Sequence, residues 1–417
     1  MTTNKAICKR LTSLFLAYAL IVIVSSCGDD GMSLSGEEVP RTSLPRVTLT
    51  TANHVEITRK VIEAELVVES PFGTIDMTRP VTVKGRGNTS WWDSPKKSYT
   101  FFLNEDDAVL SMNEGKSWAL IANYKDATMI RNDIAMYMGR EMSRLEYTPD
   151  SRFVDLILNG RYWGVYQVLE SIDAAINRVN VGDDGFILEI DGKARYDDAV
   201  FYTTRLPEMP FNIKFPETKE GDDNYIFARD YVQKAEDCLF SDNFLDEERG
   251  YRQYIDMESF VEWYLINEIC KNTDAAFYTS CYFSLSRGGK LKMGPLWDFD
   301  LAFGNHYVGG SINDAEHFYF KDKGWFARLF EDPAFVSLVK SRFNDYYTNR
   351  QQIYDRIDED SRQLSSSLVW NNKVWYCLCN SSSSESKVLS VYADRIQLLK
   401  SWIEQRMNSL KAEIEVL

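Results

Sequence analysis

The chain has 417 residues, 44% hydrophobic and 13% aromatic, which is ample for a large core and long enough for two lobes. It carries 47 Lys and Arg against 62 Asp and Glu, a formal charge of -15 that repels a phosphate backbone and argues against non-specific nucleic-acid binding. There are only three histidines. The cysteines beyond Cys27 are Cys238, Cys270, Cys281, Cys377 and Cys379, an odd number without CxxC spacing, so neither a zinc site nor a disulfide framework is expected.

In chain order, Lys5, Lys9 and Arg10 form a positive start, and Leu11 to Val24 an apolar stretch too short for a comfortable membrane span. Residues 1–27 therefore read as a targeting segment. The run Val24-Ser25-Ser26-Cys27 resembles the bacterial lipobox, which implies acylation of Cys27; the alternative is an ordinary signal peptide with an incidental cysteine. Gly28, Asp29 and Asp30 resemble the surface-export signal of Bacteroidetes lipoproteins. Losing Lys5, Lys9 and Arg10 moves the formal charge from -15 to -18. The expected location is extracytoplasmic, on the bacterial outer membrane or cell surface, with a lipid anchor as the only membrane contact.

Residues 28–52 are rich in Ser, Thr, Gly, Pro and acids and read as a flexible tether, with folding from near His54. The first half is strand-dominated: Glu56 to Glu69 alternates, Val81 to Lys84 follows, and Lys97 to Leu103 is β-branched and aromatic. Asp126 or Thr128 is placed to cap a helix through about Arg144. Phe153 to Leu158 and Tyr162 to Leu169 flank Asn159-Gly160, a dipeptide favoured in tight hairpins, and Gly185 to Ile190 is a further strand. After a polar, irregular stretch over 192–225, helical patterns take over. Asp256 caps Met257 to Cys270, Asp332-Pro333 opens another helix, and the last runs from Tyr392 to Ile414. Between them Phe277 to Ser286 and Lys290 to Trp297 form a hairpin about Arg287-Gly288-Gly289. The expectation is an α+β fold with a β-rich N-lobe over 53–191 and a helical C-lobe over 192–417.

If that hairpin turns at 287–289, Asp298 lies opposite residue 278 and close to Asp274, and Asp300 follows two residues on. Three carboxylates so gathered repel one another in a partly dry site unless a cation joins them. Oxygen ligands favour Mg2+ or Mn2+, and Mg2+ completes its shell with phosphate oxygens and water, which points to phosphoryl transfer. Spacing alone leaves solvated surface-loop aspartates as the alternative.

The strings RGNTSWWDSPKKSYTF at 86–101, ANYKDATMIRNDIA at 122–135, LNGRYWGVYQVLE at 158–170, NTD at 272–274 and PLWDFDLAFG at 295–304 together resemble the CotH kinase family over roughly residues 80–310. The resemblance implies a two-lobed, atypical protein-kinase-like fold with ATP and Mg2+ (or Mn2+) between the lobes. It also implies a protein substrate offering Ser or Thr hydroxyls. By this resemblance Asp274 is similar to the catalytic aspartate that aligns the acceptor hydroxyl, and Asp298 with Asp300 to the metal-binding pair. Lys97, with Lys96 as second choice, is the candidate for the lysine on the α- and β-phosphates; a solvated strand end is the alternative. Arg86-Gly87 offers backbone amides to phosphate or forms a simple turn. Arg131 either pairs with an active-site acid or phosphate or is solvated, and Glu170 either marks the adenine-contacting hinge or caps the sheet edge. Two departures stand out: Thr279 occupies the position of the second-metal asparagine, five residues after Asp274, and there is no GxGxxG loop. A catalytically inactive scaffold and a metal-dependent phosphoester hydrolase are the alternative functions.

Overall fold

The computed structural model describes residues 34–35, 39–195 and 198–417, all within one compact unit, Gly31–Leu417. The leader 1–27 and Cys27 lie outside the described residues. The first sheet comprises β1 (Leu34–Ser35), β2 (Arg46–Thr51), β3 (Ile62–Glu69), β4 (Ile75–Arg86), β5 (Ser98–Asp107), β6 (Gly115–Ile121), β7 (Ser151–Leu158) and β8 (Arg161–Glu170). Neighbours run β8-β6-β5-β4-β3-β2-β7, and β7 pairs again with β8, so seven strands close on themselves while β1 adds to β8. Every pairing is antiparallel except β2 with β7. Alternation builds the interior: Val47, Leu49, Leu66, Val83, Phe101, Trp118 and Leu156 point inward and are buried together.

The second sheet, in order β10-β11-β9-β12-β13, uses β9 (Phe186–Ile190), β10 (Val200–Phe201), β11 (Phe211–Phe215), β12 (Cys281–Leu285) and β13 (Lys292–Met293). Helices are α1 (Thr89–Asp93), α2 (Arg131–Tyr137), α3 (Asp223–Leu239), α4 (Met257–Cys270), α5 (Phe326–Leu329), α6 (Pro333–Thr348), α7 (Gln351–Trp375) and α8 (Glu385–Glu415). The sheet-rich first half and helix-rich second half agree with the α+β expectation. Helix α4 is buried from Phe260 to Cys270 and has apolar residues all round, the mark of a central helix.

Several expectations hold in detail. Asn159 and Gly160 both have positive φ, 51° and 76°, and turn β7 into β8. Asp256 caps α4 by accepting from the Ser259 amide at 2.8 Å, and Asp332 caps α6 ahead of Pro333. Phe283 pairs with Met293 and Ser284 with Lys292, the register set by a turn at 287–289.

Others are corrected. Strand β2 lies inside the stretch read as tether: RVTLTT is short, but Val47 and Leu49 alternate into the closed sheet and are fully buried there. Strand β9 closes no part of the first sheet; it sits between β11 and β12. Helix α2 begins at Arg131, later than expected, because Asp126 first closes a turn on the Thr128 amide (2.8 Å) and then accepts the Arg131 amide (3.0 Å). It gives way to a wider turn over Met138–Met142.

Candidate functional site

Helix α4 ends at Lys271, whose left-handed φ of 45° turns the chain toward Asp274. Asn272 then joins two loops, its Nδ2 donating to Asn267 Oδ1 (3.3 Å) and to the Asp298 carbonyl (3.2 Å). The Asp298–Asp300 turn is pinned on both sides. Phe299 N donates to Asn132 Oδ1 (3.1 Å), and Asn305 Nδ2 donates to the Asp300 carbonyl (2.7 Å) and the Lys125 carbonyl (3.1 Å). Ala276, Phe277, Ser280, Asp298 and Phe303 all hold positive φ between 45° and 64°. Such conformations cost on the order of 1–3 kcal/mol each for non-glycine residues, and they concentrate where surrounding structure holds groups in place for function.

These loops border a cavity of about 500 Å3, lined by Asp274, Asp298 and Asp300 on one side and by Lys84, Arg86 and Gly87 of β4 and the turn after it on the other. Burial first, then Asp274, raises the Asp298 carboxyl above its ordinary range, against the pull of Arg86 and Lys193. Asp300 is raised further, by burial and then by Asp298, Asp126 and Asp274, with Lys125 opposing. Arg86 lies with its guanidinium 5.0 Å from the Trp297 ring centroid, its pKa lowered by burial against the opposing charge of Asp298. Gly87, at φ 98°, turns the chain away from β4; a Cβ there would meet Ser90 Oγ at 2.3 Å. Lys84 has its pKa lowered by burial and then by Arg195, Arg59 and Arg86. Lys84, Arg86, Lys125 and Lys193 form no ion pair among the described residues. Cations that form no ion pair, facing Asp274, Asp298 and Asp300 across one cavity, suit a polyanion that arrives with a cation.

The cavity floor comes from the second sheet. Gly192 receives the Tyr278 ring, since a Cβ there would meet it at 2.2 Å, and the two residues exchange hydrogen bonds: Gly192 N to the Tyr278 carbonyl (2.8 Å) and Tyr278 Oη to the Gly192 carbonyl (3.1 Å). This latch sets Lys193 at the cavity near Asp298. Beside it Glu189 is buried, 3.3 Å from Lys214 Nζ, and burial pushes its carboxyl up to about 7 despite that lysine. A carboxyl whose pKa is higher folded than unfolded is destabilising once ionised, so stability falls as pH rises from about 4.5 to about 7. Glu189→Gln is therefore expected to stabilise the protein at pH 8, by up to about 3 kcal/mol, and to change little at pH 4. Denaturant midpoints at the two pH values check this; equal effects at both would refute it.

The structure brings Asp274, Asp298, Asp300, Arg86 and Gly87 to one cavity and leaves the other named candidates outside it. Lys97 Nζ donates to the Trp91 (2.8 Å) and Ser94 (2.7 Å) carbonyls. Lys96 is buried, donating to the carbonyls of Ala122 (3.0 Å) and Val165 and to Asn371 Oδ1 (3.1 Å), and burial lowers its pKa to about 8. Both are held by backbone oxygens that a phosphate would have to displace. Arg131 pairs with Asp126 at the start of α2. Glu170 accepts from the Asn113 amide (2.7 Å), Tyr147 Oη (2.9 Å) and the Asp150 amide (3.1 Å), while the next two residues, Ser171 and Ile172, line the cavity instead. Sequence reading missed Lys84, although its signal was present: in VTVKGR the valines alternate inward, so Thr82, Lys84 and Arg86 share the other face of β4.

Among the described residues no three His, Cys, Asp or Glu side chains converge as a metal cluster. Asp298 and Asp300 are within hydrogen-bonding reach of each other. Such a pair suits Mg2+, which takes one or two carboxylates and fills its shell with substrate phosphate and water.

Compared with known proteins, the chain matches the family model described as CotH kinase protein over residues 83–410. It is 24% identical over 225 residues to the inner spore coat protein H of Bacillus subtilis (strain 168), an alignment covering 52% of this chain. The chain spans 57% of the length of that relative.

Proposed function

This chain belongs to the CotH kinase family, and from that premise we propose that it transfers phosphate from ATP to a Ser or Thr hydroxyl of a protein outside the cytoplasm. Family membership implies kinase-like function with ATP and a divalent metal in general terms. The observation that carries the finer reading is one cavity that sets Asp274, Asp298 and Asp300 against the cations of β4. The proposed lobes are 53–191 and 192–417 in a kinase-like arrangement, with export and acylation at Cys27 by the leader 1–27. No described helix is long and apolar enough to cross a membrane.

Asp298 and Asp300 would hold Mg2+ or Mn2+, which when bound neutralises phosphate charge and orients the transferred group. Lys84 and Arg86 face the remaining negative charge from the opposite wall, and Lys193 adds its charge from the cavity floor near Asp298. Asp274 orients the acceptor hydroxyl and takes its proton as the new phosphate–oxygen bond forms and the bond to the ADP oxygen breaks. Ser171 and Ile172, immediately after β8, border the same cavity and are the proposed nucleoside contacts.

One observation favours a non-catalytic binding protein: Thr279 stands where the family of protein kinases carries its second-metal asparagine. Incubating the purified chain with γ-labelled ATP, Mg2+ or Mn2+ and a generic Ser/Thr-rich protein separates the readings. Label on acceptor hydroxyls is the expected result. Cleavage of a model phosphodiester without nucleotide would make the protein a hydrolase, and folded protein that binds no nucleotide with either metal would make it a scaffold.

A further inference from the structure

The cations that line the large cavity differ in what stands beside them. Arg86 and Lys193 act on Asp298, Lys125 acts on Asp300, and Lys214 pairs with Glu189 at 3.3 Å. Arg59 and Arg195 belong to none of these sets. The charge that acts on Arg59 is that of Arg195, and both arginines act on Lys84 ahead of Arg86. Neither arginine forms an ion pair among the described residues.

Backbone contacts set both arginines in place. The Thr58 carbonyl accepts from the Gly85 amide (2.7 Å), while the Arg59 guanidinium donates to the Gly87 carbonyl and lies 5.9 Å from the Trp91 ring centroid, which fixes it against the turn after β4. Arg195 stands exposed on the loop after β9. Its amide donates to Asp198 Oδ2 (2.6 Å), and Asn212 Nδ2 donates to the same oxygen (3.2 Å), so that oxygen holds the loop and not the Arg195 guanidinium. The loop is latched to the segment that follows Asp274 by the hydrogen bonds between Gly192 and Tyr278, three residues before Arg195. Three residues of chain span at most about 11 Å, so Arg195 stays close to the segment that carries Asp274.

Two arginines that repel each other across one cavity lose that repulsion when an anion joins them, and the guanidinium fork is shaped for carboxylate. The chain carries a formal charge of -15, so an excess of cations at this mouth runs against its overall balance. Lys84, Arg86 and Lys193 already face the nucleotide phosphates, which leaves Arg59 and Arg195 to the other substrate. We propose that Arg59 and Arg195 recognise an acidic acceptor, a protein segment with Asp or Glu within a few residues of the Ser or Thr that receives phosphate. This rests on the phosphotransferase reading and names the substrate class of the same cavity.

The test uses the full chain, ATP, Mg2+ and three synthetic peptides that share one Ser and differ only in its flanks, which are Asp and Glu, Ala, or Lys. The acidic peptide is expected to have a kcat/KM about tenfold above that of the Ala peptide, with the Lys peptide lowest and the gaps closing as ionic strength rises. Arg195→Glu should invert the order, with KM for ATP within about twofold of the parent. Equal rates or a preference for Lys in the parent overturn this proposal and leave the phosphotransferase reading standing. An Arg195→Glu chain with a raised KM for ATP and an unchanged KM for peptide also overturns it, because the arginine then serves the nucleotide. Should no peptide accept phosphate, fluorescence anisotropy of the same peptides with a non-hydrolysable ATP analogue decides. Tighter binding of the acidic peptide upholds the site, equal binding refutes it, and a folded chain that binds neither nucleotide nor peptide overturns both readings.

Discussion

Replacing Asp274 by alanine is expected to lower phosphate transfer by about 10²- to 10⁴-fold, the range spanned by removal of a positioned general base. Nucleotide affinity should stay within about twofold, because the phosphate-facing charges of Lys84 and Arg86 stand on the opposite wall of the cavity. The loss should fall on turnover rather than on half-saturation for ATP. Asp298→Ala should behave differently. It removes a carboxylate from the pair that would hold the cation, so the metal dependence of nucleotide binding should weaken together with transfer. Steady-state kinetics beside equilibrium binding at several Mn2+ concentrations separates the two. An Asp274→Ala enzyme that retained a tenth or more of parental turnover would rule out its assignment as base, and unchanged metal dependence in Asp298→Ala would remove that residue from the metal site.

Two lysine substitutions are expected to fail in opposite ways. Lys84→Met should weaken nucleotide binding by about 10- to 100-fold, the equivalent of one charge-assisted hydrogen bond worth about 1.5–3 kcal/mol. It should leave stability unchanged or slightly higher, since Lys84 sits among Arg195, Arg59 and Arg86 and its removal relieves like-charge repulsion. Lys96→Met should instead cost about 3 kcal/mol of stability, because it removes a buried ammonium from the Ala122 and Val165 carbonyls and Asn371 and leaves those acceptors without their donor. Residual folded protein should bind nucleotide normally. Urea midpoints and nucleotide titrations on both variants make the comparison. If Lys96→Met lost nucleotide binding with an unchanged midpoint, the phosphate role would return to the KK pair just ahead of β5.

That KK pair illustrates what a sequence can and cannot carry. Lys96 and Lys97 stand just ahead of β5, in a bend where no strand alternation dictates which way each side chain turns, so nothing local says which of them meets the cavity. The hairpin about Gly288-Gly289 was legible because turn residues and alternation act over a few positions, and its register alone points Asp298 toward Asp274. The helix caps at Asp256 and Asp332 were legible for the same reason. Closure of the first sheet was not, since β2 finds β7 across about a hundred residues of chain, a pairing decided by which buried faces fit and not by any neighbouring residue. Helix α7 escaped notice because it is largely polar outside its buried stripe, with Ser, Asn and Asp at many positions. The cations of the cavity come from the segment before β3, from β4, from the loops after β6 and β9 and from β11, so their convergence on one cavity is a product of tertiary structure alone.

The ring of strands also governs how the protein tolerates shortening. The family match begins at residue 83, within β4, whereas the ring depends on β2, β3 and the whole of β4. A chain cut to residues 83–410 would keep only Val83–Arg86 of β4 beside β5 and would strip β7 of its β2 partner, leaving a bare flank of unpaired amides and carbonyls on β7 that borders the apolar residues now filling the interior. Exposed flanks of that kind recruit other chains, so such a fragment should aggregate, whereas one that starts ahead of Arg46 keeps the ring whole.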